Sequence, residues 1–285
     1  MLIDYILISV ALIWLTFASI SDLKSKEIPD WLNFSLIIIA LAIKSIQAIL
    51  AKDVFILLYA LAALAIFFLL ANLMYYTKQW GGGDAKLIMG LGIIFAQYPT
   101  ELLNYFNPNL IIPFAITFVV NIVFIGAVYS IIYSIILAIK DYKKIKFSKD
   151  IFKKSAMITL LTALLVFLAS SFFFQHIKYL FLAVAIFSLI MYLILIFMSA
   201  VQQSIMIKPM ALSKLREGDW LYKPVYYKKR LILDNKKLSL TKKDISILKR
   251  FNIKSVIVKD GIPFVPAFLI SALISLIFGS FWLII

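Results

Sequence analysis

Apolar residues run along this chain in long, nearly unbroken blocks, with polar residues gathered into short segments between them. The blocks fall at about 2–20, 32–51, 54–76, 85–98, 110–139, 156–174, 179–201 and 262–285. Most reach the roughly 20 residues that an α-helix needs to cross a hydrocarbon core of about 30 Å. The pattern predicts an all-α polytopic membrane protein of about eight transmembrane helices. The first block has no basic region before it and no clear small-residue cleavage site, so it reads as a retained helix. The block at 85–98 is short: about fourteen residues at ~1.5 Å each cover only ~21 Å. If its far end reaches the opposite surface, the residue that opens it lies below the membrane plane.

Two polar inserts interrupt the blocks, a lysine-rich loop near 140–155 and a longer basic segment at 202–260. The second has a soluble pattern. Arg216-Glu217-Gly218-Asp219 reads as a turn into extended residues 220–227, and Leu231 to Leu233 as a further strand. Thr241-Lys242-Lys243-Asp244 has the spacing of a capping box and predicts a short helix to about Phe251. Lys254 to Val258 alternates like a strand. The expected division is a membrane core over 1–201, with helices 1 to 7 and the basic loop, a small α+β module over 202–260, and a last core helix over 261–285.

Composition sharpens this picture. Hydrophobic residues make up 64% of the 285 positions and charged residues 15%, and the mean hydropathy is +1.01, more apolar surface than a soluble domain of this size buries. The net charge of +15 does not point to nucleic acid, because the lysines sit in the loops between apolar blocks. An N-terminus outside the cell leaves only Lys44, Lys52 and Lys178 of the 29 basic residues on the outer side, as the positive-inside rule expects. That orientation makes the module cytoplasmic, in a plasma-membrane protein. With no cysteine and one histidine, disulfides, thiolate metal sites and a histidine-based triad are excluded, and no metal or cofactor is expected.

Most of the fourteen acids lie in loops or in the module, but two stand at span ends on the cytoplasmic side of this topology. Asp84 follows three glycines in Gly81-Gly82-Gly83-Asp84-Ala85-Lys86-Leu87, and Asp22 closes the first helix. Acids at such boundaries are costly in lipid and point to function. Two carboxyl groups held close share one proton: the ionised member takes a proton from water while the protonated one polarises a carbonyl, the division of labour that hydrolyses a peptide bond. Asp84 opens a helix and Asp22 follows the end of one, so helix polarity points to Asp22 as the usual holder of the shared proton.

These residues resemble the type IV prepilin peptidases, in particular the archaeal members that process prepilins and preflagellins. Asp22-Leu23-Lys24-Ser25-Lys26-Glu27-Ile28-Pro29-Asp30 is similar to the family's first motif, an aspartate followed by Ile-Pro. Gly81-Gly82-Gly83-Asp84 matches its Gly-x-Gly-Asp, continued by Ala85-Lys86-Leu87, and Gly261-Ile262-Pro263-Phe264-Val265-Pro266 resembles an element before a late span. The resemblance implies a GxGD-type membrane aspartyl endopeptidase with Asp22 and Asp84 as its catalytic residues. The implied substrate is a pilin-like precursor with a class III-type signal peptide, whose short basic leader is removed at the cytoplasmic face. Bacterial relatives often add a cysteine-rich zinc insertion and N-methyltransferase activity; without cysteine or a methyl-donor site, peptidase without methylation is expected. A presenilin-type intramembrane protease shares Gly-x-Gly-Asp but has a tyrosine beside its first aspartate, where Ser21 stands here. A proton or cation transporter using the same acids would need further charged residues in the spans.

Other residues carry both a functional and a plain reading. Glu27 and Asp30 are candidates for recognising a basic leader or are solvated loop charges; Ile28, Pro29, Pro263 and Phe264 are candidates for substrate contact. Gly261 to Pro266 forms part of a groove or only a bend into the last helix. Lys86 orients an aspartate or reaches to lipid headgroups. Trp31 and Trp80 read as interfacial anchors, His176 as solvated, and the lysines of 140–154 as attracted to anionic membrane lipids. Because the two aspartates belong to separate helix ends, a resting form without a direct bond between them is expected.

Overall fold

A computed structural model describes residues 2–146 and 178–283, apart from 229, 236 and 238. The expected span at 156–174, residues 147–155 of the basic loop, and His176 lie outside the described residues. The protein is a multi-pass membrane protein: five of the described helices are long and apolar enough to cross a bilayer, at Ile3–Ser25, Asp30–Ala51, Phe55–Tyr76, Phe114–Lys140 and Ile186–Met206. The chain divides into two compact units, Met1–Ser130 with Gly261–Ile285, and Ile131–Asp260.

The first unit contains α1 (Leu2–Ser25), α2 (Asp30–Ala51), α3 (Phe55–Tyr76), α4 (Gly82–Ile94), the start of α5 (Phe114–Lys140) and α8 (Val265–Phe278). The expected helices at 85–98 and 262–285 are both shorter than their apolar blocks, at 13 residues for α4 and 14 for α8. The reason is packing. From Ala85 to Ile94 almost every residue of α4 is buried, so other helices surround it and its ends need not reach both membrane surfaces. Its glycines allow the close approach: a Cβ on Gly90 would lie 2.9 Å from the Leu36 side chain of α2, and one on Gly92 would lie 2.2 Å from the Phe67 ring of α3. On the α5–α8 side, the Asn121 amide donates to Ser275 Oγ at 2.8 Å and to the Gly279 carbonyl at 3.0 Å.

Turns between the long helices use lysine in the left-handed region, Lys26 (φ 56°), Lys52 (φ 53°) and Lys78 (φ 58°). A cation just past a helix C-terminus faces the negative end of the dipole, which offsets part of the backbone strain.

The second unit holds the rest of α5, α6 (Lys178–Val201), one π-helical turn at Gln202–Met206 and the strand-containing module. β1 (Ile207–Ala211) and β2 (Trp220–Leu221) flank β5 (Ser255–Lys259), all antiparallel, and β3 (Val225–Tyr227) pairs with β4 (Arg230–Leu233) as a hairpin. α7 (Lys242–Arg250) begins at the expected capping box, with the Asp244 N–H donating to Thr241 Oγ1 at 3.3 Å. Leu215, Leu221, Leu233, Leu240, Leu248, Val256 and Val258 form its core. β1 is an element the sequence pattern did not signal, because Lys208 and Pro209 break its alternation.

Candidate active site

Asp22 lies in the last turns of α1 and is 5% exposed. Beyond it the chain reverses over a few residues. The Lys26 N–H bonds back to the Asp22 carbonyl at 2.8 Å, and the Ser21 hydroxyl donates to the Glu27 carbonyl at 2.8 Å. Pro29, with φ fixed near its required value, then starts α2 and offers its carbonyl to the Leu32 N–H at 3.0 Å.

Asp84 is the third residue of α4 and half-buried. Its Oδ2 accepts the Gly81 N–H at 3.0 Å, so the carboxylate caps its own helix. The glycines hold this arrangement by leaving room. A Cβ on Gly81 would stand 3.2 Å from Asp84 Oδ2, and one on Gly83 would stand 3.1 Å from Ile28 Cβ. Ile28 therefore sits directly on the glycine run, and the two motifs are in contact. A second link lies beside it, where Lys86 Nζ reaches Asp30 Oδ1 at 2.6 Å and lies 5.6 Å from the Phe34 ring centre. Lys86 thus pairs with Asp30 rather than with either of the two aspartates.

The third element is the start of α8. The Val265 N–H donates to Asp22 Oδ2 at 2.9 Å, and Lys26 Nζ donates to the Gly261 carbonyl at 3.1 Å. Trp80, 7% exposed, packs 6.3 Å from Phe264 and 5.2 Å from Phe268. This corrects the reading of Trp80 as an interfacial anchor: it is a core residue joining the glycine loop to α8. Trp31, 67% exposed, fits the surface position expected for it. The α8 contact also removes the helix-polarity distinction between the aspartates. That argument counted only each residue's own helix, and a helix N-terminal N–H now faces both carboxyl groups.

The hydrogen bonds of the two carboxyls run to Val265 and Gly81 rather than to each other. Of the other candidates, Ile28 and Pro263 are buried, Pro29 and Phe264 partly so, and Glu27 and Asp30 are exposed. The donor at Val265 was not foreseen. Its signal is the prolyl stretch before an apolar block, which leaves the first N–H groups of the helix free. Among the described residues no group of three or more His, Cys, Asp or Glu is placed to hold a metal ion.

Residues 9–139, which include both aspartates, match the model of the type IV leader peptidase family. This stretch is similar to that family. Over 131 residues the chain is 33% identical to a preflagellin peptidase of Methanocaldococcus jannaschii, covering 43% of this chain and 54% of the relative. It is 28% identical over 127 residues to the prepilin peptidase EppA of Methanothermobacter thermautotrophicus, covering 42% of this chain and 33% of the relative. A preflagellin peptidase of Methanococcus maripaludis is 29% identical over 127 residues, 43% of this chain and 54% of that protein. The chain therefore spans about half the length, or less, of these relatives. No solved structure matches it significantly. α8, which supplies the Val265 donor, lies beyond the family match.

Proposed function

We propose that this chain is a membrane aspartyl endopeptidase that removes the short basic leader from type IV pilin-like precursors, prepilins or preflagellins. The observation that carries the reading is the contact between the two acid-bearing motifs, with Ile28 on Gly83 and a backbone N–H held by each carboxyl, inside a stretch matched by the leader peptidase family. In the reaction a water enters between the carboxyls. The ionised aspartate takes its proton, the hydroxyl adds to the scissile carbonyl, and the protonated aspartate donates a hydrogen bond to the developing oxyanion. Collapse of the tetrahedral intermediate breaks the C–N bond and the leaving amine takes the proton. Backbone donors that already hold the carboxyls supply positioning without reorganisation.

The lysine distribution supports a site at the cytoplasmic face, where a basic leader preceding an apolar helix presents itself. Glu27, exposed on the turn that follows α1, is an acid to meet the leader's charge. No methyl transfer is part of the proposal, so the mature product carries an unmodified N-terminus by mass. The test is cleavage of a pilin-like precursor by membranes containing wild type, Asp22→Asn or Asp84→Asn, with expression and thermal stability checked. Each variant is expected to lose roughly 1,000-fold in rate while remaining folded. Normal cleavage by either variant overturns the paired-aspartate mechanism and returns attention to ion transport, read by proton flux in vesicles.

A further inference from the structure

Two buried polar side chains, each about one helical turn deeper than an acid of this site, have no partner among the described residues. Ser19 precedes Asp22 by three residues on α1, and Asn33 follows Asp30 by three residues on α2; they are 6% and 0% exposed. Neither the Ser19 hydroxyl nor either end of the Asn33 amide makes a hydrogen bond. Buried polar residues elsewhere in this unit find partners: Asn121 bonds Ser275 and Gly279, and Thr117 bonds Ser280 at 2.9 Å. Helical hydroxyls nearby return to the carbonyl four residues earlier, as Thr16 does to Leu12 and Ser25 to Ser21. Ser19 does not use that outlet.

The address of Asn33 follows from the contacts on either side of it. Ile28 lies on Gly83, Asp30 holds Lys86, and Leu36 lies on Gly90. α2 and α4 thus run side by side through this stretch, and Asn33 belongs to the seam facing the turns of α4 that follow Asp84. Three residues of helix put it ~4.5 Å deeper than Asp30.

We infer that Asn33 is a subsite for the extended peptide backbone of the substrate next to the scissile bond; the inference rests on the peptidase reading above. A bond is cut only after its segment leaves the helical state, which frees backbone N–H and C=O groups at a depth where water is scarce and each needs a partner. A primary amide presents one acceptor and two donors, the complement of a peptide unit. An unpartnered buried amide is a cost to folding, so a site that keeps one is paying it for a ligand.

Asn33→Leu in the full chain separates this role from a structural one, since leucine keeps the branched outline and the number of heavy atoms and has no polar atoms. The expected result is a melting temperature equal to or above wild type together with a roughly 10- to 100-fold fall in kcat/KM on a preflagellin-type precursor. The fall lies mainly in KM. Asn33→Gln, which keeps the amide, recovers part of the loss. In an Asp84→Asn background, where no cleavage obscures binding, Asn33→Leu weakens precursor binding by the same factor. Wild-type kinetics in Asn33→Leu, or a parallel fall of activity and melting temperature, overturns the subsite and leaves the peptidase reading standing. A wild-type chain that cleaves no pilin-like precursor overturns that reading and the subsite with it.

Discussion

At the scale of single residues, glycine serves this protein by being absent volume. In the bundle, Gly92 has the base of the Phe67 ring where its Cβ would be, 2.2 Å away, whereas nothing lies within 4 Å of a Cβ at Gly261. Gly92→Ala is therefore expected to cost about 1–3 kcal/mol or more through overpacking, and Gly261→Ala to stay within about 0.5 kcal/mol; thermal unfolding in detergent compares them. At Gly83 the conflict is with Ile28 at 3.1 Å, so Gly83→Ala is expected to lower both stability and cleavage, and Ile28→Ala to restore part of each by removing the branch atoms. The Gly-Gly-Gly-Asp run was legible in the sequence as a place of close approach. What approaches it was not, because Ile28 is more than fifty residues away and no local pattern records a contact across helices.

At the scale of elements, local signals were read most reliably where the bonds that make the element are themselves local. α7 begins at Thr241 because a threonine and an aspartate three positions on satisfy the end of the helix within one turn. The structure adds that Asp244, 2% exposed, also accepts Lys237 Nζ at 2.7 Å. Burial by itself favours the neutral acid, but the Lys237 ammonium and the Thr241 donors outweigh it and hold the Asp244 carboxyl below the usual carboxylate range. The sign follows: the folded state binds this proton less readily than the unfolded chain, so the contribution is complete above the ordinary value near 4 and is lost as pH falls through the lower folded value. Amide exchange in α7, corrected for its intrinsic pH dependence, is expected to speed up on acidification below about pH 4 in wild type. Asp244→Asn is expected to exchange faster at neutral pH, by about 1–2 kcal/mol of opening free energy, and to show little of that acid dependence. Elements defined by distant partners were read less well. α4 and α8 are apolar enough to pass for full spans at 13 and 14 residues, and for α4 only its enclosure by other helices reveals why that length suffices.

At the scale of the whole molecule, hydropathy and lysine placement predict how the chain lies in a membrane, and the absence of cysteine makes the prediction simple to check. A single cysteine at Asp53, in the exposed α2–α3 turn, is expected to react with an impermeant maleimide added outside intact cells. One at Ser213, exposed in the module, is expected to react only after permeabilisation; the reverse pattern overturns the orientation. The sequence by itself determined what depends on composition and short spacing: that the chain inhabits a bilayer, that the segment at 202–260 contains strands and a capped helix, and that Asp22 and Asp84 are the acids to watch. Only the tertiary structure decided what surrounds those acids, with Val265 donating to Asp22, Trp80 buried against Phe264 and Phe268, Lys86 committed to Asp30, and Asn33 left unpartnered. The physical reason is that in a helix built from uniformly apolar residues every face looks alike in the sequence. Which face meets another helix is set by shape and by hydrogen bonds between residues up to 243 positions apart, and those exist only once the bundle has closed.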